Sequence, residues 1–388
     1  MNSHYLSTSK SLGNNNLFDI FKLIHQKGEA TRNELIAQSG YSSGTISNHV
    51  STLIDRGLVV EKEKMISQGG RRPVMLRINP EGYYIFAVKI EITRTELHLL
   101  DLELNTVEKR EISYEVEESY KRVINFLNNH VEELITKHEL ENKDILGCGL
   151  SVPALVDTRR SVIYFAPNLR WQEKKIVEDL DLSLEFPVFV GNDAKLGAIT
   201  EKYSKSNGAQ NLVYISVNEG IGCGIVINDE IYLGSSTNAG EFGHVIIEKG
   251  GSSCHCGNEG CWETLASESR ITGAWKERTG ENLSKKEIYE LGREGDEIAR
   301  DVFQEVAENI GLGVANIINS LSPEKVVIGG GILNIQEYIE STIARIVSEK
   351  ALDVSFESTE LEYSRYLGRS EIYGAGYMII ENCLMPVG

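Results

Sequence analysis

Three cysteines and one histidine lie close together in the segment GEFGHVIIEKGGSSCHCGNEGCWE, residues 240–263. The first cysteine follows the histidine by ten residues, and the other two come within the next seven. Three thiolates and one imidazole form a complete tetrahedral ligand set for a structural Zn2+. The spacing therefore predicts a zinc site whose ligands are His244, Cys254, Cys256 and Cys261.

The alternative interpretation is a loop of buried or disulfide-linked cysteines. The chain begins with the polar run MNSHYLSTSKS and contains no apolar run near the ~18 residues that a membrane helix needs. We therefore expect a cytoplasmic protein with no membrane partner. In that reducing compartment, clustered Cys and His bind metal more often than they form disulfides. The scattered Cys148, Cys223 and Cys383 are expected to be buried thiols.

Acidic residues flank the predicted zinc ligands. Glu241 precedes His244 by three residues, and Glu263 follows Cys261 by two. A metal that fixes its ligands also restrains the side chains next to them. The motif therefore predicts two carboxylates held in defined positions.

The charge of the chain is divided unevenly. Its 388 residues, enough for two or three domains, carry a formal net charge of −18. Residues 1–80 carry +4 and the remainder carries −22. This asymmetry disfavours nonspecific nucleic-acid binding by the whole molecule, and it predicts a small module that faces a polyanion, attached to an acidic body.

The basic module has the pattern of a helix-turn-helix. An apolar stripe over residues 17–24 predicts a helix that ends near Gly28, and Thr31 with Glu34 forms the capping box of a second helix. A third helix is predicted from Ser43 onward, and small polar side chains on its exposed face suit the major groove. The predicted DNA contacts on this helix are Ser43, Thr45, Ser47, Asn48 and His49.

Two strands predicted after the third helix would complete a winged helix. LVVEKEK and VMLRIN are joined across MISQGGRRP, in which Gly69 and Gly70 permit a turn. Arg71 and Arg72 then present two guanidinium groups to phosphates or to a narrow minor groove. An unrelated helical bundle is the alternative, and the glycine–arginine wing disfavours it.

The acidic body repeats one order of elements. Three strands from Tyr84, a helix near 120–137 and a buried strand at 145–153 are followed by a comparable series that begins near 211 and includes a helix at 296–321. The pattern predicts two similar α/β lobes with a ligand cleft between them.

The chain resembles the ROK family (repressors, open reading frames and sugar kinases), and specifically its xylose-repressor and N-acetylglucosamine-repressor branch. The most specific matches are SQGGRRP, GEFGH and CHCGNEGCWE, supported by GNDA, PNLRW and VVIGGG. The resemblance implies a winged helix over residues 1–80 and a two-lobed, actin-like ATPase (ribonuclease H-like) sugar-kinase fold over 81–388. The cleft would separate about 81–190, with the C-terminal helix, from about 191–370.

The same resemblance implies a monosaccharide in the cleft. A pyranose presents hydroxyls that both donate and accept hydrogen bonds, so carboxylates and amides suit it. Carried over by motif, the predicted sugar contacts are Asn168, Asn192, Asp193, Glu241, His244 and Glu263.

Departures from the kinase pattern predict a regulator with no catalytic residues rather than an enzyme. KIEITR at 89–94 stands where kinases of the family show D-x-G-x-T-K, and NEGIG at 218–222 replaces G-T-G-x-G, so acidic side chains would meet a phosphate. Ala154 replaces a glycine near the sugar. One alternative is an ATP-dependent sugar kinase, in which Asp193 would be the general base. The other is a sensor of a protein partner that binds no sugar.

The expected partners are operator DNA, a monosaccharide effector and further copies of the chain. One small DNA-binding head makes limited contact, and operator palindromy mirrors a two-fold axis, so a homodimer or tetramer is predicted. The helix at 296–321 and the segment GAGYMIIENCLM offer apolar faces for subunit contacts or for the core.

Overall fold

The computed structural model describes residues 12, 15–63, 74–158, 160–180, 185–204 and 208–384. Arg71, Arg72 and the SQGGRRP motif lie outside these residues, so their predicted role in a wing stays a prediction. Among the described residues, no helix has the length and apolar character required to cross a membrane.

The N-terminal region folds as a winged helix. Its elements are α1 (Asn15–Lys27), β1 (Glu29–Thr31), α2 (Arg32–Ser39), α3 (Ser43–Asp55), β2 (Val59–Glu63) and β3 (Val74–Ile78). Strands β2 and β3 pair antiparallel from Val59 opposite Ile78 to Glu63 opposite Val74, which confirms the two predicted wing strands. The short β1, which the sequence pattern did not predict, joins β3 on its other side.

Local hydrogen bonds confirm the predicted start of the second helix. Thr31 N donates to Glu34 Oε2 at 2.7 Å, and Glu34 N donates to Thr31 Oγ1 at 3.3 Å, so the capping box is present. Helix α2 ends at Gly40, whose φ of 72° is left-handed and suits glycine. Ser42 then caps α3, which buries Ile46 and its apolar neighbours against α1 and α2.

The first lobe of the body contains a five-stranded sheet of order β11-β7-β4-β5-β6. Its elements are β4 (Tyr84–Ile90), β5 (Arg94–Leu100), β6 (Thr106–Ser113), α4 (Ser119–Lys137), β7 (Ile145–Val152), β8 (Leu155–Asp157), β9 (Val162–Ala166), β10 (Trp171–Lys174), α5 (Ile176–Asp179) and β11 (Val188–Asn192). Strands β8, β9 and β10 form a separate small sheet that contacts β11.

The second lobe repeats this sheet topology, with the order β14-β13-β12-β15-β16. After α6 (Asp193–Tyr203) come β12 (Leu212–Val217), β13 (Ile221–Ile227), β14 (Glu230–Ile231), α7 (Glu263–Ala266), α8 (Glu268–Thr279), α9 (Lys285–Glu294), α10 (Glu297–Leu321), β15 (Lys325–Gly329), α11 (Gln336–Lys350), α12 (Asp353–Glu357), β16 (Glu360–Tyr363) and α13 (Ser370–Leu384). In each lobe an antiparallel meander of three strands is extended by two parallel strands. The predicted pair of similar α/β lobes is confirmed.

Helices α6 and α13 pack between the two sheets. Helix α6 follows the last strand of the first lobe and contacts β12 and β13 of the second, while α13 contacts α6, β7 and β4. Two glycines permit this closeness: a Cβ at Gly374 would lie 2.0 Å from the Leu196 carbonyl oxygen, and one at Gly224 would lie 2.5 Å from the Ala198 Cβ. The apolar side chains of GAGYMIIENCLM are largely buried here, so this segment serves the core of the chain.

The winged helix shares an apolar core with the first lobe. Ile20 and Leu76 belong to the same buried cluster as Leu100 and Leu384. His25 on α1 lies with its Nε2 3.3 Å from the Leu102 carbonyl oxygen. The head is therefore packed onto the body in this structure.

Candidate metal centre and cleft

The four predicted zinc ligands converge at one point. The ligand atoms of His244, Cys254, Cys256 and Cys261 all lie within 4.8 Å of one another. The Sγ atoms of Cys256 and Cys261 are 3.6 Å apart, close to the ~3.8 Å separation that two thiolates have on one tetrahedral zinc. Cys254, Cys256 and Cys261 are free thiols, so the disulfide alternative for this loop is not taken. The donor set can hold a metal ion.

Backbone turns position these ligands. His244 ends a single 3-10 turn, Phe242–His244, and Cys261 is bridged to Ile246 across an isolated antiparallel pair. Gly260, which directly precedes Cys261, has a φ of 73°. A Cβ at this position would lie 1.7 Å from the Glu248 carbonyl oxygen. The glycine-rich spacing of the motif is therefore a steric requirement of the metal loop.

The two flanking carboxylates differ in their surroundings. Glu263 begins α7 and points into the ligand cluster, with its Oε1 2.9 Å from Cys254 Sγ and 3.4 Å from His244 Nδ1. Glu241 is half-buried, and burial raises the pKa of its carboxyl group while Lys195 and His244 oppose the rise. The structure therefore places Glu263 against the metal ligands.

Asn192 and Asp193 stand where the first lobe passes into α6. The Asn192 side chain caps the helix by accepting from Lys195 N at 3.1 Å, and its Nδ2 donates to the Ala154 carbonyl at 3.1 Å. Burial, together with the nearby carboxylates of Glu371 and Glu241, raises the pKa of Asp193 to about 7. The carboxylates of Asp193, Glu371 and Glu241 thus influence one another's charge at the start of α6.

Asn168 is the least connected of the predicted sugar contacts. It lies half-buried in the single turn Pro167–Leu169 between β9 and β10. None of the hydrogen bonds among the described residues involves its side chain. Its place in the cleft stays a prediction.

Two buried groups, Lys195 and Thr237, were missed by the sequence interpretation. Lys195 Nζ is buried and donates to the Thr237 carbonyl at 2.7 Å, and Thr237 Oγ1 donates to the Val156 carbonyl at 2.9 Å. The loop of the second lobe that carries Thr237 is thereby hydrogen-bonded both to α6 and to the small sheet of the first lobe. Lys195 directly follows the GNDA motif, which was the available signal, whereas Thr237 carried none.

Lys89 occupies the position of the first phosphate loop and is surrounded by acceptor oxygens. Lys89 Nζ lies 3.1 Å from Glu91 Oε1, 3.3 Å from Glu371 Oε2 and 3.0 Å from the Gly368 carbonyl oxygen. Although burial lowers the pKa of Lys89, the carboxylates of Glu371 and Glu91 raise it further above its usual value. A cation whose side chain is 12% exposed is therefore held by two carboxylates, and its charge opposes the rise in the pKa of Asp193.

The predicted DNA-contacting residues all lie on the third helix, and none of them is buried. Ser43, Ser47 and Asn48 are exposed, and Thr45 and His49 are half-buried. The apolar residues of the opposite face are buried in the head. The head therefore presents a small, polar helix face to solvent.

The comparisons with known proteins agree with this architecture. A family model described as ROK family matches residues 85–382, which is more than half of the chain. The chain belongs to the ROK family. A second model, described as winged helix-turn-helix DNA-binding, matches residues 14–60 of this ROK protein.

Individual ROK proteins match over nearly the whole length. The xylose repressor of Caldicellulosiruptor bescii is 28% identical over 379 residues, covering 94% of this chain and 95% of that protein. The crystal structure of a ROK family transcriptional regulator, a homologue of the E. coli MLC protein, aligns with a TM-score of 0.77 and 27% identity, covering 95% and 96% of the two chains. The predicted fold class is confirmed.

A kinase structure shares only the body of the fold. The ROK family glucokinase from Streptomyces griseus, solved with glucose and AMPPNP, aligns with a TM-score of 0.66 and 23% identity. The alignment covers 98% of that kinase but 76% of this chain. At this identity the likeness shows the fold alone.

Proposed function

We propose that this chain is a sugar-responsive transcriptional repressor, with operator DNA on the winged helix and a monosaccharide in the cleft. One observation carries the proposal: a head that exposes a polar helix face is joined to a body in which the carboxylates of Asp193, Glu371 and Glu241 influence one another's charge at the start of α6. Membership in the ROK family and the full-length match to a xylose repressor support it.

The sugar site draws on both lobes. A pyranose hydroxyl donates to a carboxylate and accepts from an amide, so paired acids and asparagines can satisfy a ring of hydroxyls. The proposed contacts are Asn168, Asn192, Asp193, Glu241, His244 and Glu263. Because contacts come from separate lobes, a sugar would favour one lobe arrangement over another and so shift the population of DNA-binding states.

The metal is proposed to be a structural Zn2+. Three cysteines and one histidine within 4.8 Å of one another match the donor type and number that zinc prefers. The ion would fix the loop that carries Glu241 and the first turn of α7. Its role here would be to hold this chain's own side chains in place.

The DNA-binding residues proposed are Ser43, Thr45, Ser47, Asn48 and His49 on α3, with Arg71 and Arg72 in the wing. The head would comprise residues 1–80 and the sugar-binding body 81–388. Two heads on a two-fold axis would match a palindromic operator, so the working unit is proposed to be a cytoplasmic homodimer or tetramer.

The cluster at the first phosphate-loop position supports the regulator over the kinase. A phosphate needs open backbone N–H groups, whereas Lys89 is already bonded to Glu91 and Glu371 and adds a side chain there. The two acids of this cluster would also repel a triphosphate. Asp193, the general base expected of a kinase, is retained in this sequence and is proposed to accept a sugar hydroxyl.

Fluorescence anisotropy tests the DNA half of the proposal. Labelled DNA from upstream of the chain's own coding sequence is titrated at physiological salt, with and without xylose, glucose and N-acetylglucosamine. We expect specific binding that one of these sugars changes at least tenfold. Binding no tighter than to random DNA would contradict the proposal.

Variants separate the DNA role from the kinase alternative. Arg71→Ala with Arg72→Ala should weaken binding and flatten its salt dependence, because two phosphate contacts are removed. Lys143→Ala is the matched control, since that exposed lysine pairs with Glu141 on the body. Release of ADP with the same sugars, abolished by Asp193→Asn, would instead favour the kinase.

A further inference from the structure

The long helix α10 changes character halfway along its exposed side. In its first half most exposed residues are charged, namely Glu297, Arg300, Asp301 and Glu308. In its second half the run NIGLGVANIINSL, residues 309–321, contains no Asp, Glu, Lys or Arg. The structure describes this whole run, and its exposed residues are Leu312, Asn316, Asn319, Ser320 and Leu321. We call these five residues the α10 stripe.

The α10 stripe faces away from the core of the second lobe. Leu312, Asn316 and Ser320 are four residues apart, so they lie in one line along the helix. The residues between them, such as Val314 and Ile318, are buried in that core. The core therefore explains the apolar residues on the buried side of α10, but it does not explain an exposed leucine in an uncharged line.

The start of α12 extends the α10 stripe sideways. Leu352 N donates to Asn319 Oδ1 at 2.7 Å, so this segment lies against the stripe. The Leu352 residue is 65% exposed and Val354 is 83% exposed, which is far more than a core role would leave. Exposed apolar residues that adjoin one another indicate an interaction surface, whereas singly scattered ones do not.

Charge favours a second copy of the chain as the partner of this surface. The chain carries a formal net charge of −18, so two copies repel each other across most of their surfaces. The α10 stripe carries no charge, and Glu308, one turn before it, is paired with Arg345 at 3.3 Å. Like surfaces meet at a two-fold axis, so an uncharged stripe can face its own copy without repulsion. DNA or a basic protein would find no opposite charge on it.

We propose that the α10 stripe is the centre of a homodimer interface, in which two α10 helices run antiparallel across a two-fold axis with Asn316 nearest the axis. Asn316 lies midway between Leu312 and Ser320, so the axis brings each of these residues against the other one in the second copy. Two asparagine amides at the axis can exchange hydrogen bonds, because each donates and accepts. Interfaces of standard size take about 20–30 residues from each copy, so Leu352 and Val354 would belong to the surrounding contact. The proposal locates the subunit contact of the proposed repressor dimer and rests on that proposed state.

A single charge on the α10 stripe should weaken the dimer, and a matched pair of opposite charges should restore it. In Leu312→Lys the ammonium would meet Ser320 of the second copy, and in Ser320→Glu the carboxylate would meet Leu312. Each change should raise the dimer dissociation constant about tenfold or more, since a charge is buried without a partner. The double variant should return to within about threefold of the wild type, because each lysine then meets a glutamate of the second copy. Within one chain the two positions are about 12 Å apart along the helix, so they cannot pair with each other.

Sedimentation equilibrium of the purified full chain measures these dissociation constants at one salt concentration. Ile298→Lys is the matched control: it places the same charge at an apolar position of α10 that is 40% exposed but lies in the charged half of the helix. It should leave the constant unchanged. If Leu312→Lys fails to give a cooperative thermal transition, Asn316→Lys repeats the single-charge test, since its ammonium would meet the same charge at the axis.

The outcomes separate the interface from the proposed function. A monomeric wild-type chain would overturn the interface and the proposed dimer together, and it would indicate another protein as the partner of this surface, while the DNA titration tests the head independently. A wild-type dimer whose dissociation constant is unchanged in both Leu312→Lys and Ser320→Glu would overturn the interface alone. Weakening in both single variants without recovery in the double variant would overturn the antiparallel arrangement about Asn316.

Discussion

The contact between the head and the second lobe offers the sharpest test of how the winged helix is held. Lys22 Nζ on α1 lies 2.6 Å from Asp229 Oδ2 in the turn between β13 and β14, and 5.3 Å from the ring centre of Tyr203. Tyr203 ends α6, the helix that Asp193 begins. The ammonium therefore joins the head to the second lobe at the opposite end of α6 from the cleft.

The exposure of the two side chains sets the energy expected of the Lys22–Asp229 ion pair. The Lys22 side chain is 19% exposed and that of Asp229 is 43%, so solvent screens the pair only in part. Such a pair contributes about 0.5–1 kcal/mol, and the contact with the tyrosine ring adds roughly 0.5–1 kcal/mol. We expect Lys22→Met to cost about 1–2 kcal/mol and Asp229→Asn about 0.5–1 kcal/mol, with a coupling energy near 0.5–1 kcal/mol.

Hydrogen exchange of α1 in the wild type, both single variants and the double variant gives the coupling energy directly. The coupling should shrink in 1 M salt because the acid is accessible to ions. Lys62→Met is the control, since its exposed pair with Glu29 lies within the head. The reasoning would be refuted if the destabilisations caused by Lys22→Met and Asp229→Asn were additive. It would also be refuted if Lys62→Met destabilised α1 as much as Lys22→Met does.

Three further outcomes are expected. Gly374→Ala should destabilise the chain by about 1–3 kcal/mol in urea unfolding, because the added Cβ would lie 2.0 Å from the Leu196 carbonyl oxygen and must push α13 from α6. Cys261→Ser should lower bound zinc, measured by mass spectrometry of the purified protein, because the donor set loses a thiolate. Asp193→Asn should raise the free energy of unfolding at pH 8 by on the order of 2 kcal/mol, seen as a higher thermal midpoint, and by much less at pH 5. The reason is that the Asp193 carboxyl group, whose folded pKa is about 7, costs stability when it is ionised. That cost decreases as the pH falls through 7.

Controls accompany each of these outcomes. Gly273→Ala on α8 meets nothing within 4 Å and should stabilise by about 0.5–1 kcal/mol, so equal losses at both glycines would contradict the packing argument. Cys383→Ser, at a buried cysteine outside the metal cluster, should keep the zinc content. A midpoint gain for Asp193→Asn that is the same at both pH values would show that charge burial is not its cause.

Much of the local structure could be predicted from residue order alone. The capping box of Thr31 and Glu34 and the apolar stripe of α1 act over three or four residues, so their geometry follows from helix periodicity. The metal ligands also lie in one short segment, where two glycines allow the turns that bring four donors together. In such cases the chemistry and the connectivity are both visible in the sequence.

The sequence by itself thus determined the winged helix, the two similar lobes and the metal ligand set. Only the tertiary structure decided that Lys195 bonds to Thr237, that Lys89 meets Glu371, and that the apolar C-terminal helix belongs to the core. These partners are separated by tens to hundreds of residues, and no periodic pattern specifies which buried charge will meet which acid. That choice depends on the packing of whole elements, here the close approach of α6 and α13 between the two sheets.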